Sequence, residues 1–172
     1  RVRKTKAQLR AGLARLMQKK SIKEITVKEL VEEVDINRST FYLHYTDIYQ
    51  MLESIEGELM DEISHLIDDY ALDPINNKES SYPFIEQIFT ILDNNKDICI
   101  ALLGKNGDMA FVNRIEGLIA ETVFQRLSSR MPKDNRDIEY AYAFCLNGCV
   151  GMIKAWLSSD NQESTQHMAE LT

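Results

Sequence analysis

Glycine and proline are scarce in this chain, seven and three among 172 residues. An all-β domain of this size needs many turns that depend on those residues, so the backbone has few places to reverse and long helices are expected. The apolar residues agree. Leu9, Leu13, Leu16 and Met17 recur three and four apart, and so do Ile48, Leu52, Ile55, Leu59, Ile63, Leu66 and Tyr70, the spacing that lines one face of an α-helix. The expected class is all-α. With 44% hydrophobic and 27% charged residues the chain has an ordinary globular composition, long enough for one large or two small packed domains. No uninterrupted apolar run approaches the roughly 18 residues of a membrane span, which excludes an integral membrane protein.

The formal net charge of -7 argues against a polyanionic partner until its distribution is read. Residues 1–48 carry eleven cations against six anions, a balance of +5, which leaves -12 for the remainder. A basic head on an acidic body presents one end to nucleic acid and turns the other away. The three cysteines, Cys99, Cys145 and Cys149, are too few for a disulfide framework and match no zinc spacing, so a reducing cytoplasm is the expected compartment. The basic first twenty residues lack an apolar segment, so no secretory signal is visible. The start at Arg1 rather than Met leaves room for residues before it.

The head reads as three helices. An amphipathic helix from about Thr5 to Lys19 precedes Thr26 and Glu29, whose spacing is that of a capping box: hydroxyl and carboxylate each satisfy a free backbone N–H at a helix start. The short helix that follows buries Val27, Leu30, Val31 and Val34. Asp35 then occupies a turn where a left-handed backbone is expected, since Asp tolerates it better than most residues. Asn37 caps a third helix, Arg38 to Tyr45, with Ile36, Phe41 and Tyr45 turned to the core and Arg38, Ser39, Thr40, Tyr42 and His44 on the remaining surface. Two short helices around a tight turn, with a supporting helix before them, form a helix-turn-helix. The second of the pair is suited to a major groove about 12 Å wide. There, Arg38 has the fork geometry for guanine O6 and N7.

The body opens with a helix from Asp47 to about Tyr70, about 36 Å long at 1.5 Å per residue and able to bridge head and body. Residues 72–83 read as a loop. Helices are expected over Pro83 to Asn95, Asp97 to Leu103, Asp108 to Met131, Arg136 to Ser158 and Ser164 to Leu171. Ala141, Cys145, Gly148, Gly151 and Ala155 sit three or four apart, and glycine inside a helix points to close approach by another helix. Cys145 and Cys149 share a face but have no CxxC or His partner, and His65 and His167 lack ligand spacing, so no metal or cofactor is expected. No phosphate-binding glycine loop, nucleophile elbow or distinctive carboxylate pair appears, and the chain is not expected to be an enzyme.

The strings Ile25-Thr26-Val27-Lys28-Glu29-Leu30 and Ile36-Asn37-Arg38-Ser39-Thr40-Phe41-Tyr42-Leu43-His44-Tyr45 resemble the DNA-binding domain of the TetR family of transcriptional regulators. The likeness covers residues 5 to about 55 and, more loosely, the body. Leu103-Gly104-Lys105-Asn106-Gly107-Asp108 through Phe111, and Gly148 to Trp156-Leu157, are similar to a branch common in Gram-positive bacteria. The resemblance implies a reading head over residues 1–47 and a ligand-binding and dimerisation body over 48–172. In the head, Arg38, Ser39, Tyr42 and His44 would face bases or the adjoining backbone, and Thr26, Lys28 and Thr40 would hold phosphates. It also implies a homodimer built from the last two long helices and an effector pocket inside the body. By side-chain type Phe89, Met109, Phe111, Phe124, Tyr142 and Cys145 are the residues expected to line such a pocket for an apolar effector, and Ala141, Gly148, Gly151, Met152 and Trp156 are those expected on the homodimer face. The expected function is a dimeric repressor of a palindromic operator. Two positions depart from the family pattern: Asp35 replaces the usual turn glycine, and Ile48 beside Asp47 replaces a phosphate-binding lysine. A regulator of the same fold acting through a protein partner is the alternative those departures leave open.

Overall fold

A computed structural model describes residues 2–72, 82–128, 137–160 and 162–172; the side chains of 70–72, 82, 119–128, 137–138 and 141–142 fall outside the described set. Every element in it is helical: α1 (Val2–Lys19), a single 3-10 turn (Ile22–Glu24), α2 (Val27–Glu33), α3 (Arg38–Tyr42), α4 (Ile48–Leu72), α5 (Tyr82–Asn94), α6 (Lys96–Leu103), α7 (Met109–Ser128), α8 (Asp137–Leu157) and α9 (Thr165–Leu171). The protein is all-α.

Local chemistry sets the boundaries. Ser21 and Glu24 form a capping box over the 3-10 turn, a signal that the sequence reading passes over, and Thr26 with Glu29 forms the expected one over α2. Asp35 has φ 52°, the one non-glycine residue at positive φ among those described. Asn37 caps α3, its side-chain oxygen accepting from the Ser39 N–H at 2.8 Å and the Ser39 hydroxyl at 2.7 Å. α3 is shorter than expected. It ends at Tyr42, and one further turn closes through Tyr45 N–H to Phe41 C=O at 3.0 Å. Asp47 caps α4 by accepting from the Gln50 N–H at 2.8 Å, and Ile48 is buried in the core. Both residues at the α4 start therefore have structural duties that a lysine would not fill.

One continuous apolar core runs the length of the chain. Leu9, Leu13, Met17, Leu30, Phe41 and Tyr45 fill the head; Met51, Leu52, Ile55 and Leu59 of α4 carry the core across to Phe89, Leu102, Phe111, Trp156 and Leu157 of the body. The α4 stripe differs from the expected one in that Ile67 rather than Leu66 is buried in its last turns. α1 packs on α6, so the body touches the head through two helices rather than through α4 alone. At the α6–α7 turn a side chain on Gly107 would run into the Leu102 carbonyl, which is why glycine stands there. The expected loop of residues 72–83 lies largely outside the described residues.

Candidate nucleic-acid interface

α1 is the platform on which the two short helices rest. Gly12 lets α2 come so close that a Cβ there would collide with the Val34 side chain. Two ion pairs fasten the contact: Arg15 Nε to Glu33 Oε1 at 2.7 Å, and Lys20 Nζ to Glu29 Oε1 at 2.5 Å. Glu29 also accepts from the Thr26 N–H at 3.0 Å and the Thr26 hydroxyl at 3.0 Å. The Lys20 ammonium, helped by the two Thr26 donors, holds the Glu29 carboxyl down at about 2. Lys6 lies over the Tyr45 ring at 5.6 Å, which ties the N-terminal part of α1 to the turn that follows α3.

α3 turns Phe41, fully buried, into this platform and leaves its other faces in solvent. Arg38 Nη2 donates to the Tyr42 hydroxyl at 3.0 Å, and the guanidinium sits 5.5 Å from the centre of the Tyr42 ring. The cation is thereby held outward before any ligand arrives, which reduces the rotamer freedom lost when its planar fork engages a partner. Arg38, Ser39 and Tyr42 are exposed; Thr40 and His44 are half-buried, with the His44 ring near the Tyr45 edge at 6.3 Å. Thr26 and Lys28 stand exposed at the start of α2, and Lys28 has only a loose 3.9 Å contact with Glu32, of the kind that contributes little. All seven residues expected at the interface thus belong to the α2 and α3 segments. Leu43, omitted from the sequence reading, is 79% exposed among them. Its signal was available, because Leu43 lies nearly opposite Phe41 on the helical wheel.

The body residues separate less cleanly. A cavity of about 70 Å³ lies among α4, α5, α6, α7 and α8, walled by Leu59, Ile63, Ile88, Leu92, Cys99, Leu102, Phe111, Ile115 and Ile153 with others, Glu116 being the charged residue among them. Burial pushes the Cys99 thiol up to about 12, so it is a neutral wall. Of the expected pocket residues Phe111 is on this wall. Phe89 is instead packed edge-on against Trp156 at 5.1 Å, Met109 is 64% exposed at the start of α7, and Cys145 is on the outer face of α8. Side-chain type alone does not place them, because aromatic and sulfur side chains fit core, cavity and surface alike. The side chains of Phe124, Ala141 and Tyr142 lie outside the described residues.

The expected dimer face needs one correction. Trp156 is buried, donating its indole N–H to the Glu163 carbonyl at 2.8 Å, and so belongs to the protomer's own core. Met152 is half-buried against that core. Gly148 is half-buried and Gly151 exposed, both with nothing within 4 Å of a Cβ, so among the described residues no helix of the protomer occupies the space that they leave. Beside them Phe144 and Tyr140 are 81% and 76% exposed. Among the described residues no group of His, Cys, Asp and Glu is arranged to hold a metal, and no helix is long and apolar enough to cross a membrane.

A capped helix pair on a supporting helix, joined through α4 to a larger helical body, is the build of a helix-turn-helix regulator. Residues 79–172, more than half of the chain, match the family described as "Transcriptional regulator C-terminal region" of the TetR type, and the chain belongs to the TetR family of transcriptional regulators. No curated protein matches it. Solved structures share its fold along nearly its whole length. A TetR transcriptional regulator from Streptococcus agalactiae 2603V is 21% identical with a TM-score of 0.60, over 99% of this chain and 92% of that one. A transcriptional regulator (TerR/AcrR family) from Aquifex aeolicus VF5 is 13% identical with a TM-score of 0.64, over 97% and 94%. A TetR-family transcriptional regulator from Streptomyces coelicolor is 14% identical with a TM-score of 0.63, over 98% and 77%.

Proposed function

We propose that this chain is a homodimeric, sequence-specific DNA-binding repressor, with residues 1–47 as reading head and 48–172 as effector-binding and dimerisation body. The carrying observation is α3, presented to solvent with Arg38 oriented by Tyr42 and flanked by the exposed Thr26 and Lys28 of α2. Arg38 reads a base edge, Ser39, Tyr42 and His44 contact bases or the adjoining backbone, and Thr26, Lys28 and Thr40 hold phosphates. Two heads joined by a two-fold axis read half-sites about 34 to 36 Å apart in successive major grooves.

The switch is the apolar cavity. At about 70 Å³ it takes a very small apolar molecule as it stands, and a larger effector, of the size that fills a typical pocket of about 300 Å³ or more, has to displace α6 or α7. Such a displacement reaches the heads through α4 and α1, and it releases DNA only if the effector binds the displaced arrangement better. Selection from a random DNA pool should yield an inverted repeat, and Arg38→Ala and Tyr42→Ala should each lower affinity. Enrichment of nothing at low salt without effector would count against the reading. The second reading, regulation through a protein partner, draws on Asp47 and Ile48, which leave the α4 start without a cation. Regulation unchanged by both substitutions would favour it.

A further inference from the structure

In the head Leu43 is the most exposed large hydrophobic residue among those described, at 79%. It keeps helical dihedrals, φ -71° and ψ -18°, so it continues the screw of α3. Turning about 100° per residue from buried Phe41 places Ser39 and Leu43 each about 160° away, on the ridge farthest from the core. Arg38 and Tyr42 flank that ridge on one side; half-buried Thr40 and His44 flank it on the other. The Ser39 hydroxyl is engaged with Asn37 at 2.7 Å, which leaves the Leu43 isobutyl group as the leading uncommitted surface of the helix. The major-groove edges of the four base pairs offer hydrogen-bonding atoms throughout but a single apolar group, the C5-methyl of thymine.

We infer that Leu43 is a specificity-determining residue that selects thymine at one position of each half-site by packing on its C5-methyl group. This rests on the DNA-reading function proposed above. The cationic flank makes a base edge the better occupant than an apolar protein surface, because Arg38 would have to be desolvated against the latter without a partner. Burying one methyl group is expected to change affinity about fourfold at each half-site.

The test uses the full chain and the inverted repeat recovered from a random pool. Each invariant thymine is replaced in turn by deoxyuridine, which lacks only the methyl group. The wild-type protein should lose about fourfold in affinity for substitution at one symmetric pair member and about fifteenfold for both, at one position only. Leu43→Ala should bind the thymine and uracil probes equally while keeping the salt dependence of the wild type, and its helical circular dichroism should be unchanged because the side chain is outside the core. Wild-type protein indifferent to uracil at every thymine overturns the inference and leaves DNA reading intact. A Leu43→Ala protein that stays sensitive to uracil also overturns it. A pool with no enriched sequence overturns the DNA reading and this inference with it.

Discussion

At Asp35 the chain holds a side chain in a backbone region that glycine occupies without strain. Its φ of 52° brings Cβ toward the following carbonyl, a cost of about 1 to 2 kcal/mol for an ordinary L residue and somewhat less for Asp. Asp35→Gly is expected to raise the stability of the head by up to about 1 kcal/mol, and Asp35→Val to lower it by more, both readable as shifts in thermal midpoint. Asp35→Gly also removes an anion from the turn beside the reading helix, so DNA affinity should rise at low salt and converge with wild type at high salt. Glu29 supplies the pH-dependent counterpart. Its carboxyl sits at about 2, chiefly through Lys20, against an ordinary value of 4.5, so the folded state favours the ionised form. The stability it contributes is fully present above pH 4.5 and is lost as pH falls toward 2. In acid titrations followed by circular dichroism Glu29→Gln should remove that part of the decline, and a wild-type slope retained in the variant would refute the assignment.

Among the elements, α1 and α4 each carry an internal glycine, and the two should respond oppositely to substitution. A larger side chain at Gly12 meets Val34 and Leu30 across the α1–α2 contact, so Gly12→Val is expected to cost about 1 to 3 kcal/mol by overpacking. Gly57 is exposed with nothing within 4 Å of a Cβ, so Gly57→Ala should stabilise α4 by about 0.5 to 1 kcal/mol. Denaturant titration of the two variants decides both. The same contrast shows what was legible beforehand. The capping pair Thr26 and Glu29, the turn at Asp35 and the 3.6-residue stripes of α1 and α4 are each written within a few residues of one another, so the helices and the capped pair α2 and α3 follow from the sequence. The 3-10 turn was missed although Ser21 and Glu24 have the same spacing, because three residues give no periodicity. Phe89, Met109, Cys145 and Trp156 were misplaced for a different reason: whether an apolar residue on a helix faces cavity, core or solvent depends on which neighbouring helix reaches it, and nothing local to those residues encodes that.

The molecule as a whole is held together between head and body by polar contacts as well as by the shared core. Arg10 of α1 donates to Asn95 Oδ1 at 2.6 Å and pairs with Glu58 at 3.2 Å; Asn95 in turn donates to Glu62 at 3.1 Å. Asn106, in the α6–α7 turn, donates to the Met17 carbonyl near the end of α1 at 3.3 Å. Arg10→Ala should therefore loosen the docking of head on body by about 1 kcal/mol, the bridge to exposed Glu58 contributing little of that. Hydrogen exchange should quicken in α1 and at Asn95.

A larger consequence concerns the assembly. On the outer face of α8, Phe144 and Tyr140 are left in water beside Gly148 and Gly151, whose missing side chains leave room that no described part of the protomer fills. A second copy packed α8 to α8 would bury the two rings and use the glycines for close approach, whereas a monomer would keep both rings wet. Phe144→Glu places a charge in that contact without touching the protomer core. It is expected to sediment as a monomer with unchanged helix content and to bind the inverted repeat about a hundredfold more weakly, since the two half-sites are then no longer engaged by linked heads. A single half-site probe should be bound as well as by wild type. If Phe144→Glu sediments as a dimer, α8 is not the contact, and if wild type sediments as a monomer at micromolar concentration, the symmetric reading of an inverted repeat loses its structural basis.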